Sequence, residues 1–86
     1  MARAIVWTKD LCNYCTAAKS LLTVKGIDFE EKKVGGGYTR EQLLEAVPNA
    51  RTVPQIFLDE KLVGGFTELK KLFEQWEGQG VGDGRV

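Results

Sequence analysis

Two cysteines separated by two residues, Cys12-Asn13-Tyr14-Cys15, stand where an extended apolar run gives way to a helical stripe, and they are the only cysteines in the chain. No other feature constrains the fold as much. Ala4-Ile5-Val6-Trp7 is β-branched and aromatic, and it reads as a buried strand. From Tyr14 the period changes: Tyr14, Ala17, Ala18, Leu21 and Leu22 fall on one helical face, and Gly26 is available for a left-handed cap after Lys25. A strand passing directly into a helix puts Cys12 at a helix N-terminus. Unpaired N–H groups and the positive end of the dipole there favour a thiolate over a thiol. Residues three apart in a first turn are neighbours, within reach of disulfide geometry. Cys12 is therefore expected to be the nucleophile and Cys15, one turn deeper, the resolving thiol. Lys9 adds positive charge nearby.

Other uses of the pair remain open at this point. Half of a metal site and two small core residues are both ordinary readings of such a spacing. A structural zinc site takes four Cys or His ligands, and the chain has no histidine, so no metal is expected. A structural disulfide across so short a loop restrains little chain entropy, and a reducing cytosol opposes it. Position at the strand-to-helix junction favours redox chemistry.

The remainder supplies one small domain. Ile27–Val34 reads as a polar, edge-like strand, and Gly35-Gly36-Gly37 as a loop without the lysine and hydroxyl residue of a phosphate cradle. Thr39-Arg40-Glu41-Gln42 has the form of a capping box opening a short helix over Leu43, Leu44 and Val47. Pro54–Leu58 and Lys61–Val63 form a hairpin through Asp59-Glu60, and Thr67 is positioned to cap a last helix with a core stripe of Leu69, Leu72, Phe73 and Trp76. Trp7 is expected in the core. The segment 78–86 is glycine-rich and expected to be a flexible tail beyond a domain spanning 1–77. The order β-α-β-α-β-β-α implies an α/β fold, a four-stranded mixed sheet flanked by helices, which is the thioredoxin-like architecture.

With 86 residues, a large internal ligand cavity is not expected, and the site should be a shallow groove. Twelve basic side chains balance 12 acidic ones, so no global field draws in nucleic acid or an anionic membrane. The apolar stretch after Met1 is too short for a signal peptide, and no run is long enough to span a bilayer. A cytoplasmic monomer is expected.

Three motifs occur in order: Lys9-x-x-Cys12-x-Tyr14-Cys15, then Thr52-Val53-Pro54-Gln55-Ile56-Phe57, then Gly64-Gly65 before a helix. Together they resemble the glutaredoxin family over roughly residues 3 to 77. The resemblance implies a glutathione-dependent dithiol oxidoreductase that reduces protein disulfides and glutathione mixed disulfides, with ribonucleotide reductase as one possible client. It implies that Lys9 contacts the glycine carboxylate of glutathione and Tyr14 lines the groove. Val53 would pair its backbone with the cysteinyl part, ahead of a cis bond to Pro54. Gly65 would allow close backbone approach, Phe66 would belong to the glutathione-binding residues beside it, and the N–H groups around Thr67 and Glu68 would receive the γ-glutamyl carboxylate. Arg40 could reach the same carboxylate as Lys9. Thr52 joins the groove if its side chain faces it.

Two positions depart from the family pattern. Asn13 stands where proline is usual, which restores a backbone N–H and loosens the loop. Thr67-Glu68 stands where an acidic pair is usual, which weakens recognition of the γ-glutamyl amino group. Two other functions compete with the main one: a dimer sharing a [2Fe–2S] cluster through Cys12 and glutathione, and a carrier reduced by thioredoxin reductase.

Overall fold

A computed structural model describes residues 3–79. Seven elements follow in the expected order: β1 (Arg3–Thr8), α1 (Asn13–Val24), β2 (Asp28–Lys33), α2 (Arg40–Ala46), β3 (Gln55–Leu58), β4 (Lys61–Gly64) and α3 (Phe66–Gln79). The sheet order is β2-β1-β3-β4. β1 runs parallel to β2 and antiparallel to β3, with Ala4 opposite Leu58 and Trp7 opposite Gln55. β4 returns antiparallel to β3. The architecture is the α/β thioredoxin-like one.

Alternation along the central strands builds two cores. Ala4, Val6, Ile56 and Leu58 pack with Ala18 and Leu22 of α1 and Leu69 and Phe73 of α3. On the opposite side Trp7 packs with Leu43, Val47, Val53 and Cys15, and Ile5 and Phe57 lie against them. Burial on both sides explains why β1 reads as a nearly continuous apolar run. The polar β2 lies at a sheet edge, as its composition predicts.

Local signals fix the ends of the elements. Gly26 adopts φ +73° after α1, and the amides of Gly26 and Ile27 donate to the carbonyls of Thr23 and Leu22. The capping box of α2 is complete: the Gln42 amide donates to Thr39 Oγ1 at 3.1 Å, and Thr39 N–H donates to Gln42 Oε1 at 2.8 Å. Asp59 and Glu60 both take positive φ in the hairpin turn, and the Asp59 amide donates to the carbonyl of Arg3.

Two sequence expectations need correction. Tyr14 is not on the buried stripe of α1, which consists of Cys15, Ala18 and Leu22; its ring is exposed and stacks on Phe66 at 6.0 Å. Thr67 does not cap α3. The helix begins at Phe66, the Gly65 carbonyl accepts from Leu69 N–H at 3.0 Å, and Thr67 lies inside the first turn. Gly65 takes the capping position because Glu68, three residues on, reaches back to accept its N–H at 3.0 Å. Leu69 and Phe73 are buried as expected. The α3 helix runs through Gly78 and Gln79; the rest of the expected tail and the Trp76 side chain lie outside the described residues.

Candidate active site

Cys12 is the N-cap of α1, with extended backbone (φ −119°, ψ 103°), and its Sγ accepts from the Cys15 amide at 3.1 Å. Its carbonyl accepts from Thr16 N–H at 3.2 Å. The sulfur thus occupies the place where Ser or Asp usually satisfies a first-turn amide. No acidic residue lies in the first turn to offset the dipole. Both facts stabilise negative charge on Cys12 Sγ. Cys15 is 2% exposed, beside Trp7 and Val53, whereas Cys12 is half-buried. The two are joined in a disulfide with Cα atoms 5.2 Å apart. Leu11, just before the nucleophile, holds φ +56° with its side chain fully in water.

The loop before β3 supplies the other wall. The Val53–Pro54 bond is cis. The Val53 carbonyl oxygen lies 3.8 Å from Cys12 Sγ and also accepts from the Thr52 hydroxyl at 3.2 Å. Gln55 Nε2 donates to the Thr52 carbonyl at 2.9 Å, tying together the residues on either side of the cis bond. Thr52 and Val53 line two hollows. One is bordered by Lys9, Arg40 and Arg51, and the other by Tyr14, Pro54, Gly65, Phe66, Thr67 and Glu68. The result is a shallow groove running past the sulfur. At its second end the first-turn amides of α3 have no intrahelical acceptor. A Cβ on Gly65 would sit 3.3 Å from the end of the Glu68 side chain and 3.5 Å from the Pro54 carbonyl, so this wall is closely approached on both sides.

All eleven residues singled out in the sequence, and Arg40, lie at the disulfide or along this groove. Sequence reasoning missed Arg51 and Gln55. Arg51 stands just before Thr52-Val53-Pro54 but carries no motif of its own, and only the fold sets it beside Lys9 and Arg40. Gln55 stands within the motif itself, but its contact with Thr52 is a matter of side-chain direction.

A polar cluster fixes α1 against the sheet. Thr8, buried at the end of β1, donates its hydroxyl to Glu31 Oε2 at 2.7 Å, and Lys19 Nζ of α1 meets the same oxygen at 3.0 Å. The Thr8 hydrogen bond foremost, then Lys19, holds the Glu31 carboxyl below its ordinary pKa of 4.5, against an opposing effect of burial. A carboxyl lowered by folding contributes stability above its unfolded pKa and loses it as pH falls through the folded value. Wild type is therefore expected to exceed Glu31→Gln in stability above pH 4.5, with the two converging below it. Urea unfolding across a pH series measures this, and parallel curves would contradict it.

Comparison with known proteins agrees with the geometry. The family model Glutaredoxin matches residues 4–63. Glutaredoxin 3 of Escherichia coli (strain K12) is 38% identical over 72 residues, covering 84% of this chain and 87% of that protein. Among solved structures, Glutaredoxin 1 from Francisella tularensis, complexed with cacodylate, superposes with a TM-score of 0.74 at 29% identity, covering 88% of this chain and 96% of that one. A buckwheat glutaredoxin–glutathione complex shares the fold at TM-score 0.74 and 23% identity, over 85% of this chain and 69% of that one. A sulfur capping a helix, a buried partner one turn on and this likeness along the chain's length have one meaning: the protein belongs to the glutaredoxin family of thiol–disulfide oxidoreductases.

Proposed function

We propose that the chain uses glutathione as its reductant and reduces both glutathione mixed disulfides and protein disulfides. One observation carries this reading: Val53, next to Cys12 Sγ, divides a groove with three cations at one end and a helix N-terminus at the other. Glutathione has the matching layout, a cysteine between two arms that each end in a carboxylate. Lys9 and Arg40 would take the glycine end, and the first-turn amides of α3 the γ-glutamyl end. The buckwheat relative was solved with glutathione bound.

Cys12 thiolate attacks the glutathione sulfur of a mixed disulfide and releases the other thiol. The resulting Cys12–glutathione disulfide is cleared by a second glutathione, giving glutathione disulfide. With a protein disulfide, Cys12 forms a mixed disulfide with the client. Cys15 attacks the Cys12 sulfur, frees the reduced client and leaves the Cys12–Cys15 disulfide for glutathione to reduce.

The test compares two electron sources for the oxidised protein: glutathione with its reductase, and thioredoxin reductase. Turnover with the first and little with the second is expected. The reverse result would replace this reading with that of a thioredoxin-reductase-linked carrier.

A further inference from the structure

The chain is neutral overall, yet the groove is not. Lys9, Arg40 and Arg51 are the charged side chains of one hollow, and Glu68 is the charged side chain of the other. None of the three cations pairs with a carboxylate among the described residues, although Arg3, Lys19 and Lys33 all do. Glu68 does not cancel them, since it is turned to its own helix start, accepting from Gly65 N–H. Unscreened like charges cost free energy when gathered at a surface, and an anionic partner relieves that cost.

A single glutathione carboxylate is a small ligand for three cations. We propose that this end of the groove selects protein clients whose reactive cysteine is followed, on its C-terminal side, by acidic residues. The direction rests on the glutathione reading above. If the glycine of glutathione points from the Val53 position toward Lys9 and Arg40, a client cysteine bonded to Cys12 sends its C-terminal chain the same way. Its N-terminal chain then runs toward the α3 start, where the free amides suit one carboxylate, as for the γ-glutamyl group, but Glu68 opposes an acidic pair. The α3 dipole carries about half a unit of positive charge there, and Glu68 already offsets part of it.

The probes are three short peptides with one cysteine, activated as a mixed disulfide with 2-thiopyridine. Two have the same composition, with a pair of glutamates placed just after the cysteine in one and just before it in the other. The third has glutamines instead. Cys12 thiolate of the reduced protein attacks the peptide sulfur, and the bond to the pyridine sulfur breaks. Released 2-thiopyridone takes a proton from solvent and is read by absorbance. Cys15 then frees the peptide as a thiol and leaves the protein oxidised, so two electrons pass to the probe.

The glutamate-after peptide is expected to react about five to ten times faster than its glutamate-before isomer at low salt. That ratio should fall toward one at high salt and narrow in Arg51→Gln. Equal rates for all three peptides, or a faster glutamate-before isomer, would overturn the proposal. Glutathione-coupled turnover measured in parallel separates the two claims. If it is present while the peptide rates are equal, only this inference fails. If it is absent, the orientation is lost and both fail.

Discussion

Cys12→Ser is expected to lower the reduction of every disulfide substrate by about a thousandfold or more, because a serine hydroxyl is neither ionised nor nucleophilic at neutral pH. Cys15→Ser is expected to behave differently. It should keep most of the activity on glutathione mixed disulfides, where glutathione itself resolves Cys12, and lose the reduction of protein disulfides, where Cys15 must do so. The asymmetry follows from placement. Cys12 is at the helix start facing the groove, and Cys15 is almost wholly buried behind it. Glutathione-coupled assays with a small mixed disulfide and with a protein disulfide measure the two cases. A Cys12→Ser protein as active as wild type would end the assignment of the nucleophile.

Leu22→Ala should produce the largest loss of stability among simple truncations on α1. Leu22 is 0% exposed and joins α1 to the sheet and to α3 through Val6, Ile56, Leu69 and Phe73. Removing a buried leucine side chain costs about 2–5 kcal/mol through lost burial and the cavity left behind. For a domain of this size that is a drop in melting temperature on the order of 8–40 °C. The total stability of such a domain is about 5–15 kcal/mol, so the variant approaches the limit of folding. Thermal unfolding followed by circular dichroism gives the number. A change of only a degree or two would show that α1 is not packed as described.

Most of the architecture was legible because local signals agreed with one another. The apolar run of β1, the Gly26 stop, the Thr39–Gln42 box and the Asp59-Glu60 turn each announced an element that the structure contains. The misreadings came from competition between two valid signals. Thr67 is a good cap by composition, but Glu68 reaching back to Gly65 N–H sets the helix start two residues earlier. Tyr14 fits the helical period, but its position at the groove rim lets it stack on Phe66, more than fifty positions away in sequence. Arg51 was invisible for a related reason. A lone arginine in a loop carries no signature, and it becomes informative only when folding sets it beside Lys9 and Arg40.

The sulfur that attacks clients is also the atom that satisfies the Cys15 amide at the start of α1. Ionised, it is a far stronger acceptor for that amide than when it is bonded to a second sulfur. Electron transfer to a client therefore draws on the same free energy that secures the helix. Unfolding the dithiol and disulfide forms side by side closes a thermodynamic cycle, in which the difference between their stabilities equals the difference in reducing power between folded and unfolded chain. The two denaturation curves taken together are, in effect, a potentiometric reading.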